Sequence, residues 1–308
     1  MRTSHQHRRS AFTLVELLVV MTIIGILIGL LVPTIRGVMM RAEVTRIVME
    51  IKQLESGLEA YKKHFDDYPP DFSNPLLVVR HARKAFPRIS DADINQLLLR
   101  AYRNVNVTNV TKMTNAPGDI AEWNIDPAEA LAFWLQGFSE EVTRPFSGPG
   151  GPFNLKVLAG TAPRNTGRYE FDGTRLSTLD DNDPYPIYLP KGFELPYVFF
   201  DSRSYPYLGP GGIPRYPPPN LKKQKGWPAA VPPYHRQMTG KLRPYRSSVT
   251  NETWTNQKTF QILSAGIGDD LGGSKGALRF YPNGTNFDSG DKKNIANFSG
   301  GQLGDSTQ

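Results

Sequence analysis

The chain has 308 residues, enough for one large domain or two ordinary ones with a substantial core. Of its formal charge of +7, Arg2, Arg8 and Arg9 supply three, leaving +4 for the remainder; no motif of a nucleic-acid-binding fold accompanies it, so no nucleic-acid partner is expected. The absence of cysteine excludes a disulfide framework and thiolate catalysis or ligation.

The first element in chain order is residues 12–32, FTLVELLVVMTIIGILIGLLV, an apolar run long enough to cross a bilayer as a helix and broken by a single charge, Glu16. Arginines precede it and no acid does, which places the N-terminus in the cytoplasm and the remainder beyond the membrane. A secretory signal would end in a small-residue cleavage site on the far side of a shorter apolar region; here Pro33-Thr34-Ile35-Arg36 follows. Glu16 decides between a plain anchor and something more specialised, because a carboxylate within an apolar span is expensive and usually has a partner and a role. A cut between Ala11 and Phe12 would make Glu16 the fifth residue of the mature chain and create an α-amino group one helical turn before it.

Ser10-Ala11-Phe12-Thr13-Leu14-Val15-Glu16-Leu17 resembles the start of the type IV pilin and type II secretion pseudopilin superfamily, with Ala11 where the family usually has Gly. The resemblance implies a leader, residues 1–11, removed by a membrane-embedded aspartyl prepilin peptidase that cuts after Ala11 and methylates the amine of Phe12. It also implies that Glu16 pairs with the N-terminal amine of a neighbouring subunit, neutralising two charges in an apolar filament core. The implied partners are other copies of the chain, related pseudopilins, an inner-membrane assembly platform and the cytoplasmic membrane itself. The localisation implied is single-pass in the bacterial inner membrane, with residues 69–308 periplasmic.

Residues 33–68 read as a continuation of the helix, with Pro33 producing a kink rather than an end. Ile47, Ile51, Leu54, Leu58, Tyr61 and Phe65 recur at spacings of three and four, an apolar stripe that should pack on the C-terminal domain. Arg46, Lys52, Glu55, Glu59 and Lys62 read as a solvated face or as contacts between neighbours. The helix should stop around 64–68, where Asp66, Asp67, Pro69 and Pro70 supply turn chemistry. Leu58 to Lys62 followed by Tyr68-Pro69-Pro70 also resembles the end of the pseudopilin helix.

Further helices are expected over 90–103, capped by Ser90, and over 126–138, where Asp126, Pro127 and Glu129 form a start signal. Short strands are expected at 195–201, 258–265 and 277–281. Residues 148–152 and an insertion around 184–244 read as irregular Pro-rich loops. The expected class is α+β: a long N-terminal helix packed on a C-terminal domain with a small antiparallel sheet and long Pro- and Gly-rich loops.

Phe260 to Gly266, an acidic Gly-rich loop and Asn294-Ile295-Ala296-Asn297-Phe298 resemble the end of major pseudopilins. There the resemblance implies a calcium site, with Ser264, Asp269, Asp270, Asp288 and Asp291 as side-chain donors suited to a hard cation. Gly268, Lys292 and Lys293 stand where related chains carry acids, and these same residues also suit solvated loops and capped turns. His64, His81 and His235, the histidines beyond the leader, fall in no metal-binding motif, and no Gly-x-Ser-x-Gly elbow occurs, so no enzymatic activity is expected. The Tyr-Pro turn and the C-terminal match favour a secretion pseudopilus; a surface type IV pilus is the alternative.

Overall fold

The computed structural model describes residues 13–103, 105, 107–108, 122–153, 167–178, 185–205, 243–248, 250, 253–268, 270–272 and 278–306. The chain divides into two compact units, residues 1–43 and 44–308. Helix α1, Leu14–Phe65, contributes to both, and Pro33 lies inside it rather than at its end.

In the first unit the apolar side chains are exposed on every side. Leu14, Val15, Leu18, Met21, Ile26, Leu30 and Val38 are all at least 60% accessible. A helix that is apolar all round is stable only where something other than water surrounds it. Its length and hydropathy are sufficient to cross a membrane.

The second unit is built on the remaining part of α1. Ile47, Ile51, Leu54, Leu58 and Tyr61 are at most 1% exposed, as the spacing of three and four requires. Each such apolar side chain contributes about 1.5–3 kcal/mol on burial. Onto this stripe pack α2 (Pro75–Ala85) through Val78, Val79 and Ala82, α3 (Asp91–Ala101) through Ile94, Leu97 and Leu98, and α4 (Ala130–Leu135) through Leu131, Trp134 and Leu135. Helix α2 was not among the expected elements, although Asn74 caps it and Pro75 occupies its first turn. Helix α3 starts as expected, with the Ser90 side chain accepting from the Asp93 amide. Helix α4 is only six residues long. Asp126 and Glu129 hydrogen-bond each other's neighbourhood as a turn before it, Asp126 N donating to Glu129 Oε2 at 2.8 Å and Ala128 N to Asp126 Oδ1 at 2.7 Å.

The strands are short and antiparallel. Strands β1 (Tyr102–Arg103) and β2 (Glu122–Trp123) pair, as do β3 (Leu176–Thr178) and β4 (Pro186–Tyr188). Strands β5 (Val198–Asp201), β6 (Phe260–Ser264) and β7 (Ile295–Ala296) form a three-stranded sheet in that order. Its residues alternate between two cores, as the two-residue period of a strand dictates. Phe199, Phe260, Ile262 and Ile295 join the α1 core, while Val198, Phe200, Leu263 and Ala296 join a second one with Tyr205, Tyr245, Leu271 and Leu303. The sheet is therefore covered on both faces. The strand expected at 277–281 is not found among the described residues, where Phe280 makes only an isolated bridge to Arg246. Strands β4 and β5 both fall within 184–244, so that span is not loop throughout; residues 206–242 lie outside the described residues.

The turn leaving α1 is tied to the end of β5 by charge. Arg203 Nη1 pairs with Asp67 at 2.5 Å and its Nε with Asp201 at 2.7 Å. Asp71 accepts from the Ser73 amide, the Asp201 amide and the Ser204 hydroxyl. The carboxylates of Asp71 and Asp201 are thus met by donors within this corner.

Candidate assembly site

Ala11 and Phe12 lie outside the described residues, which begin one position later at Thr13. Thr13 and Glu16 form a reciprocal helix cap. The Thr13 amide and hydroxyl each donate to Glu16 Oε2 at 2.9 Å, and the Glu16 amide donates back to Thr13 Oγ1 at 3.2 Å. Thr13-Leu14-Val15-Glu16 is the Ser/Thr-x-x-Glu pattern of a capping box, a signal in the sequence overlooked in favour of a pairing across subunits. The carboxylate also lies in the first turn of a 52-residue helix, at the positive end of its dipole. Both bonds from Thr13 fall on Oε2. Oε1 takes no bond from the described residues, so a capped Glu16 keeps acceptor capacity for a cation from another chain.

The C-terminal acids serve local structure. Ser264 Oγ accepts from the Gly266 amide at 3.2 Å, and Asp270 Oδ1 from the Gly272 amide at 2.9 Å. Asp288 and Asp291 cap helix α5, Ser289–Lys293, reciprocally: Asp288 Oδ1 accepts from the Asp291 amide and Asp291 Oδ2 from the Asp288 amide, both at 3.0 Å. Asp291 Oδ1 meets the guanidinium of Arg279 and the Tyr245 hydroxyl. Asp269 lies outside the described residues. Among the described residues no group of three or more His, Asp or Glu could hold a metal ion.

One arrangement has the outward form of a nucleophile relay: Tyr61 Oη lies 2.8 Å from His81 Nε2, and His81 Nδ1 lies 3.5 Å from Asp67 Oδ2. Tyr61 and His81 are both fully buried among Trp134, Phe65 and Phe138. Burial pushes the Tyr61 hydroxyl well above its ordinary value and the His81 imidazole below its own, so the hydroxyl stays protonated and the ring neutral. Tyr61 and His81 have no exposed surface, and the row packs as a polar network inside the aromatic core.

The comparisons with known proteins fall on the N-terminal segment. The family model for the prokaryotic N-terminal methylation motif matches residues 6–32. The chain carries the N-terminal methylation motif of the type IV pilin-like proteins. Over that pilin-like segment and the helix that continues it, the chain is 41% identical across 64 residues to type II secretion system core protein G of Aeromonas hydrophila, covering 21% of this chain and 45% of that protein. It is 39% identical across 69 residues to the core protein G of Escherichia coli K12, covering 22% and 46%, and 40% across 63 residues to that of Pectobacterium carotovorum, covering 20% and 40%. The chain thus spans less than half the length of these curated relatives. No solved structure matches it.

Behind the pilin-like segment, the face of α1 read as solvated is in part a docking face. Arg46 donates to the Lys191 carbonyl, Lys52 Nζ to the Asn297 carbonyl at 3.2 Å, and Glu55 accepts from Asn297 Nδ2 at 3.0 Å. Glu59 accepts from the Tyr68 hydroxyl at 2.6 Å. The residue that sequence reasoning missed is Glu50, which lies on the buried stripe itself. It pairs with Arg175 and accepts from the hydroxyls of Tyr188 (3.2 Å) and Tyr197 (2.5 Å), pinning strands β3 and β4 and the approach to β5 onto α1.

Proposed function

We propose that the chain is a pilin-like structural subunit, processed by a prepilin peptidase and polymerised into a type II secretion pseudopilus that supports protein export. The observation that carries the reading is Glu16. It stands five residues into the chain that a cut after Ala11 would leave, on a helix that is apolar on all sides, and it keeps an acceptor oxygen beyond its cap. In an assembled fibre that carboxylate pairs with the N-terminal amine of a neighbour, and the exposed apolar surface of residues 14–40 is buried first by lipid and then by other copies. The role is structural, not enzymatic. Anchoring is in the inner membrane with the C-terminal unit periplasmic, as the arginines ahead of the apolar run favour. The partners are the peptidase, other copies, related pseudopilins and the inner-membrane assembly platform. Relatives named for type II secretion favour the secretion fibre over a surface pilus.

The test separates the cap from the intersubunit pairing. Gln serves at the third helical position of a capping box as Glu does, but it carries no charge. Glu16→Gln should therefore keep the helix cap and membrane insertion while losing incorporation into fibres, as should Glu16→Ala. Incorporation of Glu16→Gln at the wild-type level, with Glu16→Ala alone defective, would reduce the residue to a cap.

A further inference from the structure

Arg279 sits in the second core with its side chain 1% exposed and that of its partner Asp291 fully buried. One guanidinium nitrogen, Nη1, donates to Asp291 Oδ1, to the Tyr245 hydroxyl at 3.0 Å and to the Leu271 carbonyl at 3.3 Å. The other, Nη2, donates to the Arg243 carbonyl, and the group lies 4.2 Å from the centre of the Tyr245 ring. Tyr245 in turn donates to Asp291 Oδ1 at 2.8 Å and accepts from Asn294 Nδ2 at 3.0 Å, which also donates to the Leu271 carbonyl at 2.8 Å. One positive centre is thus held by a carboxylate, a phenol oxygen and two main-chain carbonyls drawn from three separate stretches of chain. Carboxylates and main-chain carbonyls are also the donors a hard metal cation would take.

Among the described residues the packing around this centre is tight. Gly272 has φ +72°, and a Cβ there would lie 2.5 Å from Asp291 Oδ1; one on Gly290 would lie 2.7 Å from the Gly272 amide nitrogen and 2.8 Å from the Asp270 carbonyl. Loop 270–272 and helix α5 therefore touch backbone to backbone. Lys293 lies over Gly268, a Cβ on which would meet the Lys293 side chain at 3.1 Å, so a second positive side chain borders this loop. Asn294 Oδ1 is a buried acceptor with no partner among the described residues, one oxygen against the six to eight that calcium needs. A divalent ion beside Asp291 would also meet the buried guanidinium at close range, where the low dielectric strengthens repulsion.

We propose that the Arg279 guanidinium is the built-in cation of this C-terminal lobe, holding residues 243–245, 271 and 291–294 together in place of a bound calcium ion, so that the lobe folds and holds without calcium. Burial by itself would lower the affinity of Arg279 for its proton, but Tyr245 and Asp291 outweigh it, and the group stays charged. The inference rests on the side-chain geometry of residues 243–294 and stands apart from the fibre reading.

The experiment is thermal unfolding of the full chain in detergent, with excess calcium or with EGTA, for wild type, Arg279→Gln and Arg279→Lys. Wild type should melt at the same temperature in both buffers. Arg279→Gln should melt roughly 6–20 °C lower in both, since removing one member of a buried pair strands the other. Arg279→Lys, which keeps the charge but cannot span Asp291 and the Arg243 carbonyl, should fall between them. A calcium-dependent rise in the wild-type melting temperature would overturn the proposal, as would an Arg279→Gln protein of unchanged stability. If that variant fails to fold, the wild-type comparison alone decides.

Discussion

Glu50 provides the sharpest test of how the long helix is fastened to the C-terminal unit. Replacing it with Gln keeps the volume and one acceptor but removes the charge, leaving Arg175, 15% exposed, without its anion and two tyrosine hydroxyls short of a strong acceptor. Breaking a buried ion pair by removing one partner costs about 3–5 kcal/mol. Arg175 keeps its two bonds to the Leu189 carbonyl, at 2.8 Å from Nε and 2.5 Å from Nη2, which places the loss near the lower end, about 3 kcal/mol. For a unit of this size that lowers the melting temperature by about 6–12 °C. Urea unfolding of the full chain in detergent, followed by near-ultraviolet circular dichroism of the aromatic core, measures it. Arg175→Met should cost a similar amount, and the double variant less than the two singles together, with a coupling of about 2–3 kcal/mol. Single losses below about 1 kcal/mol, or additivity within about 0.5 kcal/mol, would show that Glu50 is not the fastening described.

Two further outcomes follow from the same core. His81 is held neutral by burial, with its folded pKa below the ordinary 6.5; such a base gives stability that is fully present above pH 6.5 and lost as pH falls through the folded value. His81→Gln should therefore flatten the acid limb of a stability-against-pH curve below pH 6.5, and an unchanged limb would remove His81 as its source. Leu58→Ala, on the fully buried stripe of α1, should cost about 2–5 kcal/mol in the same urea assay, and a loss under about 1 kcal/mol would contradict the packing of α1 on the C-terminal unit.

The parts of the fold set by local rules were legible in the sequence. The stripe from Ile47 to Tyr61, the end of α1 near Phe65 and the Ser90 cap of α3 each follow from spacing or from one capping side chain. Helix α2 carries as clear a local signal, an Asn74 cap followed by Pro75 in the first turn. What could not be read is what depends on distant partners. Glu50 sits on the buried face of a helix, where an acid looks misplaced until Arg175, Tyr188 and Tyr197 arrive from more than a hundred residues away. Strand β7 is two residues long and exists because β6 offers it a free edge, while the β-prone run at Phe280 is used for a bridge and for presenting Arg279. At Glu16 the sequence held two answers: the short-range one, the cap with Thr13, was missed and the long-range one was drawn from resemblance.

The central claim, that the chain is made as a prepilin and becomes a fibre subunit, is tested most directly by the intact mass of the protein recovered from membranes with and without an active prepilin peptidase. With the peptidase, the mass should correspond to a chain that begins at Phe12 and carries one methyl group on its amine; without it, to the chain beginning at Met1. A protein that still begins at Met1 when the peptidase is active on other prepilins in the same cells would contradict the account.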